Sequence, residues 1–320
     1  MKIGCFSVLF GNKSLKEALK LIKNIGCEMV EIGTGNYPGN AHCNPKVLLN
    51  NSNALEEFKK TIKDSGLEIS AFSCHGNPVH PNKKIAQDHS ETHRLTVELA
   101  SKLGVPVVVG FSGCPGANKD ATVPSWNIIA WPPDYLESLK WQWNEVLIPF
   151  WQKEAEFAEA NNVKIAFELH PGFCVYNTTT MLKIREYCGK NIGANFDPSH
   201  LFWQSMDPLK MIRSLKDAIF HVHAKDCKID EINTALNGCN DSTPYGDEIN
   251  RSWIFRTVGY GHDVSWWKDF VSQLRLVGYD YVLSIEHEDS LMAMEEGLEK
   301  AFSCLKEAII SKKPGELYWA

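Results

Sequence analysis

Lys164-Ile165-Ala166-Phe167-Glu168 is a short apolar run that ends in one charge, and the same design returns three more times. Ile192-Gly193-Ala194-Asn195-Phe196-Asp197, Ala218-Ile219-Phe220-His221-Val222-His223 and Tyr281-Val282-Leu283-Ser284-Ile285-Glu286 repeat it. Between these runs lie amphipathic stretches at Thr179 to Cys188, Pro208 to Leu215 and Val264 to Val277, and Met292 to Ile310 closes the series. Short apolar runs of this kind are expected of strands buried on both faces, as in a parallel sheet. Strands that alternate with helices imply right-handed crossovers.

The alternation extends toward the N-terminus. Ile3-Gly4-Cys5-Phe6-Ser7 precedes a helix from Leu15 to Ile25, stopped by Gly26. Met29-Val30-Glu31-Ile32 follows, then a polar loop to about Asn53 and a helix ending at Gly66. Leu67 to Phe72, a helix from His89 to Leu103, and the apolar run Val105 to Val109 complete the first half, before a long helix from Leu136 to Asn161. Eight strands and eight helices in strict order match an α/β chain folded as a (β/α)8 TIM barrel, a single domain over residues 1–320. Two long βα loops stand out, 111–134 and 225–256, and suggest a lid or an oligomer contact. A doubly wound open sheet is the alternative. Its signature is missing, because Gly33-Thr34-Gly35-Asn36 lacks the third glycine and opens no helix.

Composition limits the function classes. The 320 residues are 22% charged and 44% hydrophobic with a net charge of −6, which argues against a phosphate-backbone binder. No run approaches the roughly 18 apolar residues of a membrane helix, and Met1 to Phe10 is too short for a signal peptide. Ten cysteines without a Cys-x-x-Cys pair read as free thiols in a reducing cytoplasm rather than a disulfide scaffold or zinc ribbon. Expected partners are a small molecule and other copies of the chain, with neither nucleic acid nor membrane.

The strand ends carry the chemistry. A barrel gathers them at one rim, so Glu168, Asp197, His223 and Glu286 form a set. Three carboxylates and one imidazole suit a single divalent ion such as Mn²⁺, Mg²⁺, Co²⁺ or Zn²⁺. Ion pairs with Lys or Arg across the mouth are the structural alternative. His75, His170, His200 and Lys225 stand close by in sequence and are candidates to bind substrate, while His221 reads as a deeper core or supporting group. His89 and His93 lack the glutamate of a zinc-protease helix and read as a solvated helix face; Trp126, Trp131 and Trp253 lie on mouth loops where they could stack on a sugar ring.

The pieces Phe167-Glu168, Asn195-Phe196-Asp197-Pro198-Ser199-His200, His221-Val222-His223-Ala224-Lys225-Asp226, Gly259-Tyr260-Gly261 and Ser284-Ile285-Glu286-His287-Glu288 resemble the xylose isomerase-like barrel superfamily, the sugar phosphate isomerase/epimerase family. Ketose 3-epimerases, inosose dehydratases and endonuclease IV belong to it. The resemblance implies a divalent metal on Glu168, Asp197, His223 and Glu286. Leu169-His170-Pro171 departs from the Asn-His that commonly follows the strand-five glutamate, and the acidic charge disfavours an endonuclease. The expected activity is a metal-dependent sugar or keto-sugar isomerase or epimerase. It would abstract a proton next to a carbonyl, with Glu168 and Glu286 as the acid–base pair and a chelating ion stabilising the enediolate. The alternative is a lyase or dehydratase on an inosose or 3-keto-glycoside, which eliminates from the same enolate. A non-enzymatic binding subunit is the third class.

Overall fold

Strand formation follows burial. In β1 (Lys2–Phe6), β2 (Met29–Gly33), β3 (Glu68–Ser73), β4 (Val107–Gly110), β5 (Lys164–Glu168), β6 (Ile192–Phe196) and β7 (Ile219–Ala224), nearly every residue is withdrawn from solvent. β8 (Asp226–Ile229) and β9 (Trp253–Arg256) are shorter and half-exposed, and β10 (Val282–Ile285) is again buried. The computed structural model describes residues 1–313, 315, 316 and 319. All strands but β8 and β9 close into one parallel barrel in the order β1-β10-β7-β6-β5-β4-β3-β2. The chain is therefore a (β/α)8 TIM barrel. No helix among the described residues is long and apolar enough to cross a membrane.

Helix boundaries obey local chemistry. The helix Leu15–Ile25 opens on a capping box between Ser14 and Glu17 and closes at Gly26, whose φ of 111° is left-handed. Lys83–Leu103 starts six residues before the expected His89, because the Asn82 side chain caps it by accepting from the amides of Lys84 and Ile85. Within this helix His93 turns inward. It is buried with its ring 5.4 Å from that of Trp151, so the expected solvated face is corrected for this residue.

Two further expectations change. The long helix from Leu136 to Asn161 is three pieces: Pro133–Trp141, a wider π-type turn Gln142–Leu147, and Ile148–Ala160. Pro149 has no amide to close the regular bond to the carbonyl four residues back. The buried Gln142 amide there binds the carbonyls of Pro115, Gly116 and Ser125. The segment from Lys225 to His262 is not irregular throughout. β8 and β9 pair antiparallel, Asp226 opposite Arg256, and the helix Glu231–Asn237 lies between them. Trp253 is not a free stacking face; it is buried and packed flat on Trp203, with ring centroids 4.6 Å apart.

Candidate metal centre

Parallel register delivers the strand ends to one layer. Glu168 lies beside Asn195, and Ser284 beside His223. Glu168, Asp197, His223 and Glu286 each offer a ligand atom, and these atoms all lie within 4.8 Å of one another. Glu168 is gripped from several sides. Its Oε2 lies 2.9 Å from His75 Nε2, 3.2 Å from Asn195 Nδ2 and 3.2 Å from His223 Nδ1. Its Oε1 lies 3.1 Å from His200 Nε2. Burial alone would push its carboxyl up, but His200, His223 and His75 hold it well below the usual range.

His223 is oriented from behind by Glu31, a fully buried carboxylate on β2. The His223 Nε2 lies 3.0 Å from both Glu31 oxygens, and the hydroxyls of Ser73 and Ser284 donate to the same carboxylate. Burial opposes ionisation of Glu31, yet His223, His221 and these hydrogen bonds bring its pKa down to about 2. With Nε2 engaged, Nδ1 of His223 points at Glu168 and Glu286, 3.2 Å from an oxygen of each. That Nδ1 and Asp197 Oδ2 are both buried without a hydrogen-bond partner. Asp197 Oδ1, in contrast, accepts from the Ser199 amide at 2.8 Å. Two buried ligand atoms that make no directed hydrogen bond, the Asp197 oxygen 3.3 Å from Lys225 Nζ, fit a divalent cation, because one such ion could be held by both together with the neighbouring carboxylates.

The remaining candidates surround this set. Lys225 is buried and its Nζ lies 2.8 Å from Glu286, 3.0 Å from Glu288 and 3.3 Å from Asp197. Burial would lower its pKa, but these carboxylates hold the ammonium well above the ordinary value. Glu286 is pushed up by burial and carried below the usual range by Lys225 and His223. His200 sits on the short turn Ser199–Phe202, 3.5 Å from Asp197 Oδ2. His170 donates its Nδ1–H to the Pro171 carbonyl at 2.6 Å, and its ring lies 4.1 Å from that of His200. Burial and then His200 press its pKa down to about 3. His170 also lines a cavity of about 280 Å³ with Tyr245, Ile254, Phe255, Glu288 and Ser290. β8 and β9 stand over the site, and β9 supplies Ile254 and Phe255. His221 lies deeper, its Nδ1 2.9 Å from Asn195 Oδ1.

Sequence reasoning assigned no role to Glu31, Asn195 or Tyr245, and it marked Glu288 only as part of an acidic cluster. The signal for Glu31 was there: one charge inside the apolar run Met29-Val30-Glu31-Ile32.

Comparison with known proteins agrees with this architecture. The chain is 35% identical over 312 residues to the uncharacterized protein YfiH of Bacillus subtilis (strain 168), covering 97% of this chain and 99% of that one. It is similar in fold to the probable 3-DHS dehydratase AsbF of Bacillus anthracis, with a TM-score of 0.67, 15% identity and coverage of 96% and 99%. A second similar fold is 3-keto-D-glucoside 4-epimerase, YcjR, of E. coli, with a TM-score of 0.63, 16% identity and coverage of 96% and 99%. Residues 19–308 match the family described as xylose isomerase-like TIM barrel, and the chain belongs to that family.

Proposed function

We propose that the protein is a divalent-metal-dependent isomerase or epimerase acting on an uncharged sugar or keto-sugar. The observation that carries this reading is the pair of ionised carboxylates, Glu168 and Glu286, which converge on the buried Nδ1 of His223 with an oxygen of each 3.2 Å away. A divalent ion held by Glu168, Asp197, His223 and Glu286 would draw electron density from a substrate carbonyl and so acidify the neighbouring C–H. Glu286, at the rim, takes that proton; Glu168 returns one to the other face. His75, Asn195 and His200 hold Glu168 in one orientation, which favours proton transfer at a fixed position. Tyr245 and Phe255 give the cavity aromatic faces against which the C–H side of a sugar packs.

The charge balance of the mouth supports an uncharged substrate. Lys225 is held by Glu286, Glu288 and Asp197, and Arg256 is paired with Asp289 at 3.0 Å. Neither cation is free for a phosphate, and Glu288 lines the cavity itself. Elimination from the same enolate would need an acid for the leaving group. His170 faces the cavity with its Nδ1 proton committed to Pro171, which favours epimerisation over the lyase reading.

The experiment is turnover of a ketose and keto-glucoside panel in deuterium oxide with Mn²⁺ added. One solvent deuterium should enter at the carbon beside the carbonyl. Transfer of the original hydrogen to the former carbonyl carbon, with no deuterium taken up, would point to hydride shift and sink the two-carboxylate mechanism.

A further inference from the structure

The loop after β4 and the loop after β5 meet along a seam beside the cavity. Cys174 donates its amide to the Gly113 carbonyl at 3.0 Å, and Val175 donates to Ser112 Oγ at 2.9 Å. Asn77 fixes the other side of the same turn, accepting from the Cys114 amide at 3.0 Å and donating to its carbonyl at 2.8 Å. This pairing brings Cys114 and Cys174 together across the seam, both buried, with the Cys114 Sγ 3.6 Å from the Pro115 carbonyl. A hydrogen bond from the Cys174 thiol, against burial and with help from the Ser125 amide, holds the Cys114 thiol below its ordinary value. Cys174, the donor, is pushed well above its own. The two sulfurs therefore sit on loops that backbone hydrogen bonds already hold together.

We propose that Cys114 and Cys174 are a peroxide-responsive dithiol whose oxidation to a disulfide fastens the β4 loop to the β5 loop at the edge of the candidate site. The Cys114 thiolate attacks one peroxide oxygen; the O–O bond breaks, hydroxide leaves and takes up a proton as water, and Cys114 becomes a sulfenic acid. The Cys174 sulfur then attacks the Cys114 sulfur, the S–O bond breaks, and the second water departs with the Cys174 proton. Two thiols are oxidised by two electrons and one peroxide is reduced. The bond would lie close to the substrate cavity, because Phe111 of the first loop stacks on Phe173 of the second at 4.1 Å and lies 4.7 Å from His170.

The test treats the folded full-length protein with excess hydrogen peroxide, blocks remaining thiols and maps peptides without reduction. The expected result is a Cys114–Cys174 cross-linked peptide, a mass loss of two hydrogens that dithiothreitol reverses, and a Tm raised by about 5 °C or more from the closed loop. C114S and C174S should each abolish the cross-link and the shift. Wild-type protein that stays folded but gives no such peptide, or carries irreversible sulfinic acid at Cys114 without the cross-link, overturns the proposal, and this reading needs no variant to fold.

Discussion

Glu31 makes His223 present one nitrogen rather than two. With Nε2 held against its carboxylate and two serine hydroxyls donating to the same oxygens, the imidazole cannot turn, and Nδ1 stays aimed at Glu168 and Glu286. Supporting carboxylates of this kind typically contribute 10–100-fold to metal affinity. Glu31→Gln should therefore weaken Mn²⁺ binding by about tenfold or more, read by calorimetric titration, and an unchanged affinity would reduce Glu31 to a buried packing group. Glu286→Gln acts differently. Lys225 keeps Glu288 and Asp197 as partners, so the thermal melt should move little while turnover falls to background. A variant with wild-type rate would remove Glu286 from the proton transfer. The strand-end residues were legible in the sequence because a lone charge closing an apolar run breaks the pattern of a buried strand. Glu31 left a signal as the one charge inside an apolar run, but it and Asn195 sit within their strands, and only the closed barrel reveals which way each faces.

The β8–β9 pair hangs on Asp226. Its carboxylate accepts from the amides of Cys227, Gly259, Gly261 and His262, and from His262 Nδ1 at 2.7 Å. Gly261 is required for that approach, because a Cβ there would collide with the Cys227 carbonyl and with Asp226 itself. Asp226→Ala would strand several buried donors, each at about 1–3 kcal/mol. We expect a loss of at least about 3 kcal/mol in urea denaturation, with Asp226→Asn intermediate; an alanine variant of wild-type stability would show that the loop is held by other contacts. The barrel strands could be read from the sequence because their burial is written in composition. This pair could not, because each strand is four residues long and no turn signal joins them across the intervening helix. The π-type turn escaped for a related reason, since helical periodicity hides the lost hydrogen bond at Pro149.

Around the barrel, two outer helices are latched by an ion pair between an exposed guanidinium and a buried carboxylate as well as by apolar packing. Arg94 on Lys83–Leu103 forks onto Glu154 on Ile148–Ala160 with bonds of 2.8–3.0 Å. Burial pushes the Glu154 carboxyl up, but His93 and Arg94 more than offset this and hold it below its ordinary value. A depressed carboxyl binds fewer protons folded than unfolded. Its contribution is complete above the unfolded value of about 4.3 and is lost as pH falls through the lower folded value. Melting curves from pH 7 to pH 3 should show wild type losing stability more steeply than Glu154→Gln below about pH 4.3, and parallel slopes would remove the latch from the acid response. The two-stranded sheet has a different consequence at this scale. Its hydrogen-bond partners are its own strands rather than the barrel's. Lengthening or replacing the chain between Asp230 and Ser252 therefore leaves the register of the eight parallel strands untouched. Lineages can remodel this segment, which supplies Tyr245 to the cavity wall, while inheriting the strand-end carboxylates unchanged, so the cavity can be reshaped here by insertion and exchange without first crossing a valley of unfolded intermediates.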